Sequence, residues 1–228
     1  MKLASLYSGG KDSNYSIYLA SKYNHKITCL ISMISKNKDS YMFQTPGNSF
    51  LKLQAECLNL PIVEYETEGK KEEELKDLKD AIKKAIKKYK IEGIVTGAIR
   101  STYQSSRIQK ICNELNIYCI NPLWQINEEE YLKELIKNKF KIIIISIASY
   151  PFTKDYLGKV IDVHLISKLK EAKKKFSTSL IGEGGEFESF VIDSPLFKKK
   201  IKIIKSNQDC DSENSCQLNI KEIKLKEK

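Results

Sequence analysis

The chain reads as an α/β protein. A doubly wound, mainly parallel five-stranded sheet is predicted over residues 1–124, and a smaller α+β domain over 125–228. Three observations carry this. Short apolar runs alternate with amphipathic helical segments through the first half of the chain. The first apolar run, Leu3-Ala4-Ser5-Leu6-Tyr7, stops at the glycine pair of Ser8-Gly9-Gly10-Lys11-Asp12-Ser13 and leads into a helical pattern. After Pro122-Leu123-Trp124 the rhythm changes to alternating runs with turn signals.

Strands are predicted over 2–7, 27–34, 61–65, 92–97 and 117–121, with helices over 12–23, 48–59, 71–89 and 103–115. In the third helix Leu75, Leu78, Ile82, Ala85, Ile86 and Tyr89 recur at helical spacing, which makes one apolar stripe. Repeated β-α-β units with short loops predict a parallel sheet covered on both faces and joined by right-handed crossovers. Ligands of such sheets bind beyond the carboxyl ends of the strands, where Ser8–Ser13, Ser32–Ile34 and Gly97–Ser101 are expected to meet. In the second part a helix is predicted at 128–138, a strand in the isoleucine run at 140–148 and a helix at about 160–176. From Phe187 onward short alternating runs are punctuated at Asp193-Ser194-Pro195 and Asp209–Asn214.

Composition narrows the function classes. Apolar content of 41% with 30% charged residues is that of a soluble globular protein. The run Ile142–Ala148 is far shorter than the roughly 20 residues a membrane helix needs, so no membrane partner is expected. The N-terminus has no apolar targeting run, and a cytoplasmic location is expected. Six scattered cysteines form no CxxC pair, which argues against a zinc or thioredoxin-type motif. Four of them sit in apolar patterns as small core residues, and Cys210 and Cys216, flanking an acidic turn, are expected as reduced thiols, with pairing in an oxidising setting as the alternative. The net charge of +10 comes almost wholly from lysines spread among glutamates, as in Glu72 and Lys76, so nucleic acid is not expected as a partner. The clusters Lys173–Lys175 and Lys198–Lys200 read as solvated surface, and His25 and His164 as structural or surface residues. Arg100 and Arg107, the chain's only arginines, share one short segment, a placement that suits planar bidentate donors at one site, with chance clustering as the plainer alternative.

Two segments carry chemistry. At Ser8–Ser13, glycines at 9 and 10 can take positive φ and let backbone N–H groups approach an anion. The following helix directs its positive end there, and Lys11 adds a full charge. A Gly-Gly turn with a surface lysine is the plainer alternative. Gly182-Glu183-Gly184-Gly185-Glu186-Phe187-Glu188-Ser189 crowds three carboxylates among three glycines. Mutual repulsion raises carboxylate pKa values and suits acid/base work, while a flexible acidic turn is the alternative.

With both segments in place, the chain resembles the diphthine–ammonia ligase family, PP-loop ATP pyrophosphatase-type (HUP-like) proteins that complete diphthamide on elongation factor 2. The resemblance rests on SGGKDS at 8–13 and GEGGEFE at 182–188. Between them lies Gly97-Ala98-Ile99-Arg100-Ser101-Thr102-Tyr103-Gln104-Ser105-Ser106-Arg107, followed by Pro122-Leu123-Trp124 and Leu157-Gly158. It extends to about Asp193. One departure is Met42–Gly47, where the family usually has histidine and asparagine in the places of Gln44 and Gly47.

The resemblance implies ATP-dependent amidation of the diphthine carboxylate by ammonia, through an acyl-adenylate, with release of AMP and pyrophosphate. Ser8, Gly9, Gly10, Lys11, Asp12 and Ser13 would hold the phosphates, Asp12 would help hold Mg²⁺, and Met33, Gly97, Ala98 and Ile99 would bracket the adenosine. Tyr103, Gln104 and Arg107 would orient the substrate, and Glu183, Glu186 and Glu188, with Lys11, form the expected catalytic set. The glutamates would take a proton from ammonium or bind the quaternary ammonium of diphthine, aided by Phe187. The implied partners are elongation factor 2 in its diphthine form and ammonium, and a homodimer is compatible with the sequence. Two other readings stay open: a different PP-loop ligase acting on tRNA, and a nucleotide- or RNA-binding module without catalysis.

Overall fold

The computed structural model describes residues 1–35, 48–69 and 73–228. Gln44 and Gly47, and Glu72 of the expected Glu72–Lys76 pair, lie outside the described residues. By contact the chain forms two compact units, one of Met1–Ser8 with Asp12–Trp124 and one of Gly9–Lys11 with Gln125–Lys228.

The first unit alternates β1 (Lys2–Leu6), α1 (Lys11–Lys22), β2 (Lys26–Ser35), α2 (Asn48–Leu58), β3 (Ile62–Thr67), α3 (Glu73–Tyr89), β4 (Gly93–Val95), α4 (Thr102–Glu114) and β5 (Tyr118–Ile120). The five strands run parallel in the order β3-β2-β1-β4-β5, as the βα alternation predicts. The winding reverses between β1 and β4, so the crevice for a ligand opens beyond the carboxyl ends of those two strands. Helix α3 shows why the sheet holds. Its stripe of Leu78, Ala81, Ile82 and Ala85 is fully buried against Ala4, Ile31 and Ile94, each large side chain contributing about 1.5–3 kcal/mol. Glu73 and Glu74 at its start and Lys87 and Lys88 at its end oppose the helix dipole.

The second unit is α+β. It contains α5 (Glu128–Lys137), β6 (Lys141–Ile147), α6 (Val163–Phe176), β7 (Phe187–Asp193), β8 (Lys199–Ser212) and β9 (Ser215–Glu227). Its antiparallel sheet has the order β7-β6-β9-β8. Four expectations are corrected here. The last helix begins at Val163 rather than 160, because Val160 and Ile161 pair with β6 and Asp162 caps the helix by accepting from the Leu165 N–H at 2.8 Å. The tail is no set of short runs: β8 and β9 are strands of 14 and 13 residues. Cys210 and Cys216 are disulfide-bonded, since the β8–β9 register sets them directly opposite each other. Lys173 is no idle surface lysine, because its ammonium lies 2.6 Å from the buried carboxylate of Glu128. Among the described residues no helix is long and apolar enough to cross a membrane.

Candidate nucleotide and acid site

Strand β1 hands over to the Ser8–Ser13 loop through Tyr7. Its N–H donates to Ile31 O at 2.9 Å, extending the β1–β2 ladder by one rung. Its buried hydroxyl lies 3.1 Å from both Asn14 Oδ1 on α1 and Gln54 Oε1 on α2, which locks the loop's entry to two helices. Burial pushes that phenol far above its usual pKa, so it acts as a neutral hydrogen-bonding post. Of the two loop glycines, Gly9 takes the left-handed conformation, with φ of 78°. Helix α1 begins at Lys11, so its first-turn N–H groups face back into the loop. Lys11 itself is 4% exposed, and the hydroxyls of Ser8 and Ser13 approach to 3.4 Å.

The turn after β4 closes on the same place. A Cβ at Gly97 would stand 2.9 Å from both Asp12 C and Ser13 N, so this backbone rests directly on the first turn of α1. The two switch-point loops therefore meet, and glycine is what lets them. Thr96 steadies the turn: its hydroxyl donates to Asn121 Oδ1 at 2.6 Å and accepts from the Ala98 N–H at 3.1 Å, while Asn121 Nδ2 donates to Ser105 Oγ on α4. The side chains of Ala98, Ile99 and Met33 are buried, Met33 in the α3 core, which leaves their backbone as the part that can face a ligand. Ser101 caps α4, accepting from the Gln104 N–H at 3.3 Å, and the Arg107 guanidinium stacks 3.5 Å above the Tyr103 ring. Tyr103 and Arg107 thus form one planar surface on α4, whereas Arg100 is exposed outside it.

In the second unit β7 grips the loop's tip. The Val191 N–H donates to Gly9 O at 3.2 Å, and the Lys11 N–H donates to Ser189 Oγ at 3.2 Å. Ser189 closes the acidic segment in the sequence, and its place on β7 brings its hydroxyl to the loop. The three glutamates beside it prove unequal. Glu186 is buried, with Oε1 accepting the Ser179 N–H at 2.6 Å and Oε2 the Gly184 N–H at 2.9 Å. Each oxygen of this carboxylate thus accepts a backbone N–H of its own loop, which fixes its orientation there. Glu183 is exposed, and Glu188, half-buried, points from β7. Burial alone raises the Glu188 pKa, so desolvation replaces the mutual repulsion expected from the sequence.

A second anchored carboxylate was not legible in the sequence. The buried Glu128 carboxylate accepts the Leu180 N–H at 3.2 Å and the Ser179 hydroxyl at 3.3 Å, while pairing with Lys173. Ser179 Oγ in turn accepts the N–H groups of Ile181 and Glu183, both at 3.2 Å. Gly182, at φ 78°, leaves 2.6 Å between a notional Cβ and Phe187 O, so no other residue fits there. The Phe187 ring is buried against Phe152 with the Lys11 ammonium 5.8 Å away. It is therefore not open to a substrate's quaternary ammonium, as the sequence had suggested.

No cluster of three or more His, Cys, Asp or Glu side chains that could hold a metal occurs among the described residues. Asp12, half-buried in the first turn of α1, fits only a cation that takes most of its ligands from phosphate and water, as Mg²⁺ does.

Comparison with known proteins agrees over both units. Residues 1–119 match the diphthamide synthase N-terminal domain, and residues 127–225 the diphthamide synthase C-terminal domain. The chain is 37% identical over 222 residues to the diphthine–ammonia ligase of Mus musculus, covering 89% of this chain and 83% of that one. It is 36% identical over 220 residues to the Homo sapiens protein of the same name, covering 88% and 82%. The Schizosaccharomyces pombe namesake is 32% identical over 97% of this chain, which spans 39% of that longer protein. Among solved structures, a predicted subunit of tRNA methyltransferase from Methanocaldococcus jannaschii overlays with a TM-score of 0.42 at 18% identity, covering 79% of this chain and 90% of that one, too loosely to carry an argument.

Proposed function

The chain belongs to the diphthine–ammonia ligase family, ATP-dependent ligases of diphthamide synthesis, and from that premise we propose that it amidates the diphthine carboxylate of elongation factor 2 with ammonia. The observation that carries the reading is the junction of β1, α1 and the Gly97 turn at the switch point, with Lys11 buried beside it.

A carboxylate does not exchange hydroxide for ammonia at a useful rate. In the proposed sequence a carboxylate oxygen attacks the α-phosphorus of ATP, the bond to the β-phosphate oxygen breaks, and pyrophosphate leaves. The ammonia lone pair then attacks the acyl carbon of the resulting acyl-adenylate, and AMP departs with the electrons of the C–O bond. The N–H groups of the Ser8–Ser13 loop, apart from that of Lys11, which donates to Ser189, and the Lys11 ammonium take up the charge that develops on pyrophosphate. The backbone near Met33 and at Gly97, Ala98 and Ile99 brackets the adenosine. Asp12 would hold Mg²⁺, which when bound neutralises phosphate charge.

Arg107, with Tyr103 and Gln104, orients the α-phosphate or the substrate carboxylate by bidentate donation. Glu188, its pKa lifted by burial, accepts the proton of the incoming ammonium. Glu183 contributes negative charge that attracts that cation, and Glu186 holds the loop in shape.

The test supplies the purified chain with ATP, magnesium, ammonium and elongation factor 2 isolated before its final modification step. AMP and pyrophosphate should appear only with the full mixture, and mass spectrometry should find OH replaced by NH₂ on the substrate. Turnover that depends on tRNA would instead assign a different PP-loop ligase, and no turnover with either substrate would leave a binding module.

A further inference from the structure

We propose that the outward face of the β8–β9 ribbon binds the phosphate backbone of a nucleic acid without sequence preference. The ribbon is two-faced. Ile201, Ile203, Ile223 and Leu225 alternate onto one side, where Ile201 is 4% exposed and the other three are part-buried. Lys200, Lys202, Lys224 and Lys226 alternate onto the other, and all four are exposed. The register sets Lys200 opposite Lys226 and Lys202 opposite Lys224. Like charges directly opposite each other weaken a β-ribbon, so this array works against the fold that carries it. The ion pairs at this end of the ribbon, Lys199–Glu227 and Lys228–Asp193, include none of the four.

The chemistry of the array selects its partner. Protein interfaces favour Tyr, Trp, Phe, Met and Arg and are depleted in Lys, and residues 199–212 and 215–227 contain none of the favoured five. Lysine is a flexible point charge that neutralises phosphate without demanding fork geometry. A two-stranded ribbon is also an element that a duplex groove admits. In α3, by contrast, the lysines share the helix with Glu73, Glu74, Asp77 and Asp80.

The experiment measures binding of the whole chain to a fluorescently labelled DNA duplex between about 50 and 200 mM KCl, without ATP. Neutralising four phosphates gives a slope of log K against log salt of about −3.6, hence roughly a hundredfold loss of affinity across that range. The variant K200Q/K202Q/K224Q/K226Q should lose most of that slope. The variant K76Q/K87Q/K110Q/K168Q, with the same change in net charge at exposed sites, should keep it. The ribbon variant should also melt no lower than the wild type, since it loses only like-charge pairs. Equal loss in both variants, a lower melting point of the ribbon variant, a flat wild-type salt slope, or binding to poly-glutamate or phosphatidylserine vesicles but not to the duplex would each overturn the proposal. Because no step uses ATP, its failure is distinguishable from failure of the ligase reading.

Discussion

Replacing Gly97 by alanine tests the junction on which the proposed nucleotide site depends. The added methyl would lie 2.9 Å from Asp12 C and Ser13 N, against 3.4–4 Å for an ordinary contact, so backbone must give way by about half an ångström. Both neighbours are backbone atoms in the first turn of α1, and neither can rotate aside. Overpacking of this kind costs about 1–3 kcal/mol, and the lower entropy of the unfolded alanine chain returns only about 0.4–1 kcal/mol. The net loss should lower the melting temperature by roughly 3–8 °C. The catalytic effect should be larger than the stability effect suggests, because the displaced first turn of α1 carries amides proposed to face the phosphates. A misplacement of about 1 Å costs about a hundredfold in rate, so about tenfold is expected here. AMP formation at saturating substrate should fall, KM for ATP should rise, and KM for the protein substrate should stay. A Gly97→Ala variant with wild-type turnover and melting point would refute both the close approach and the placement of the triphosphate.

Other perturbations separate the acidic residues. Glu186→Ala removes the acceptor of two buried N–H groups and should cost about 2–4 kcal/mol in denaturant unfolding; Glu186→Gln, with one acceptor oxygen, should fall between, and a stable but inactive Gln variant would make Glu186 catalytic after all. Glu188 has its pKa raised by burial, so the folded state keeps a proton that the unfolded chain has released, and stability should fall as pH rises from the ordinary carboxylate value toward the raised one. Glu188→Gln should abolish that slope and lower the maximal rate at saturating ammonium, and a slope that survives the substitution would assign the titration elsewhere. Arg107→Lys loses both the planar fork and the stack on Tyr103, and should lower turnover about tenfold or more with little change in melting point. Unchanged kinetics would remove Arg107 from the substrate site.

The sequence by itself determined the parallel layer and the turn from β1 into α1, because both rest on local physics. Apolar period sets helix against strand, and a strand, two glycines, a lysine and a capped helix are contiguous in the chain. The stripe of α3 is legible for the same reason: its residues lie three and four apart and bury together. What lies far apart was decided only by tertiary packing. Glu183, Glu186 and Glu188 are the same side chain within six residues, yet burial and two backbone donors single out Glu186, and desolvation singles out Glu188. Glu128 reads as a helix-start charge until Lys173, Ser179 and Leu180, more than forty residues on, close around it. The β8–β9 ribbon escaped a local reading because Ser206, Asn207, Gln208 and Asp209 are poor strand formers. Cross-strand pairing carries them, and the same register aligns four lysines and joins Cys210 to Cys216. Local preference is a property of neighbours in the chain; the protonation and role of a buried charge depend on neighbours in space.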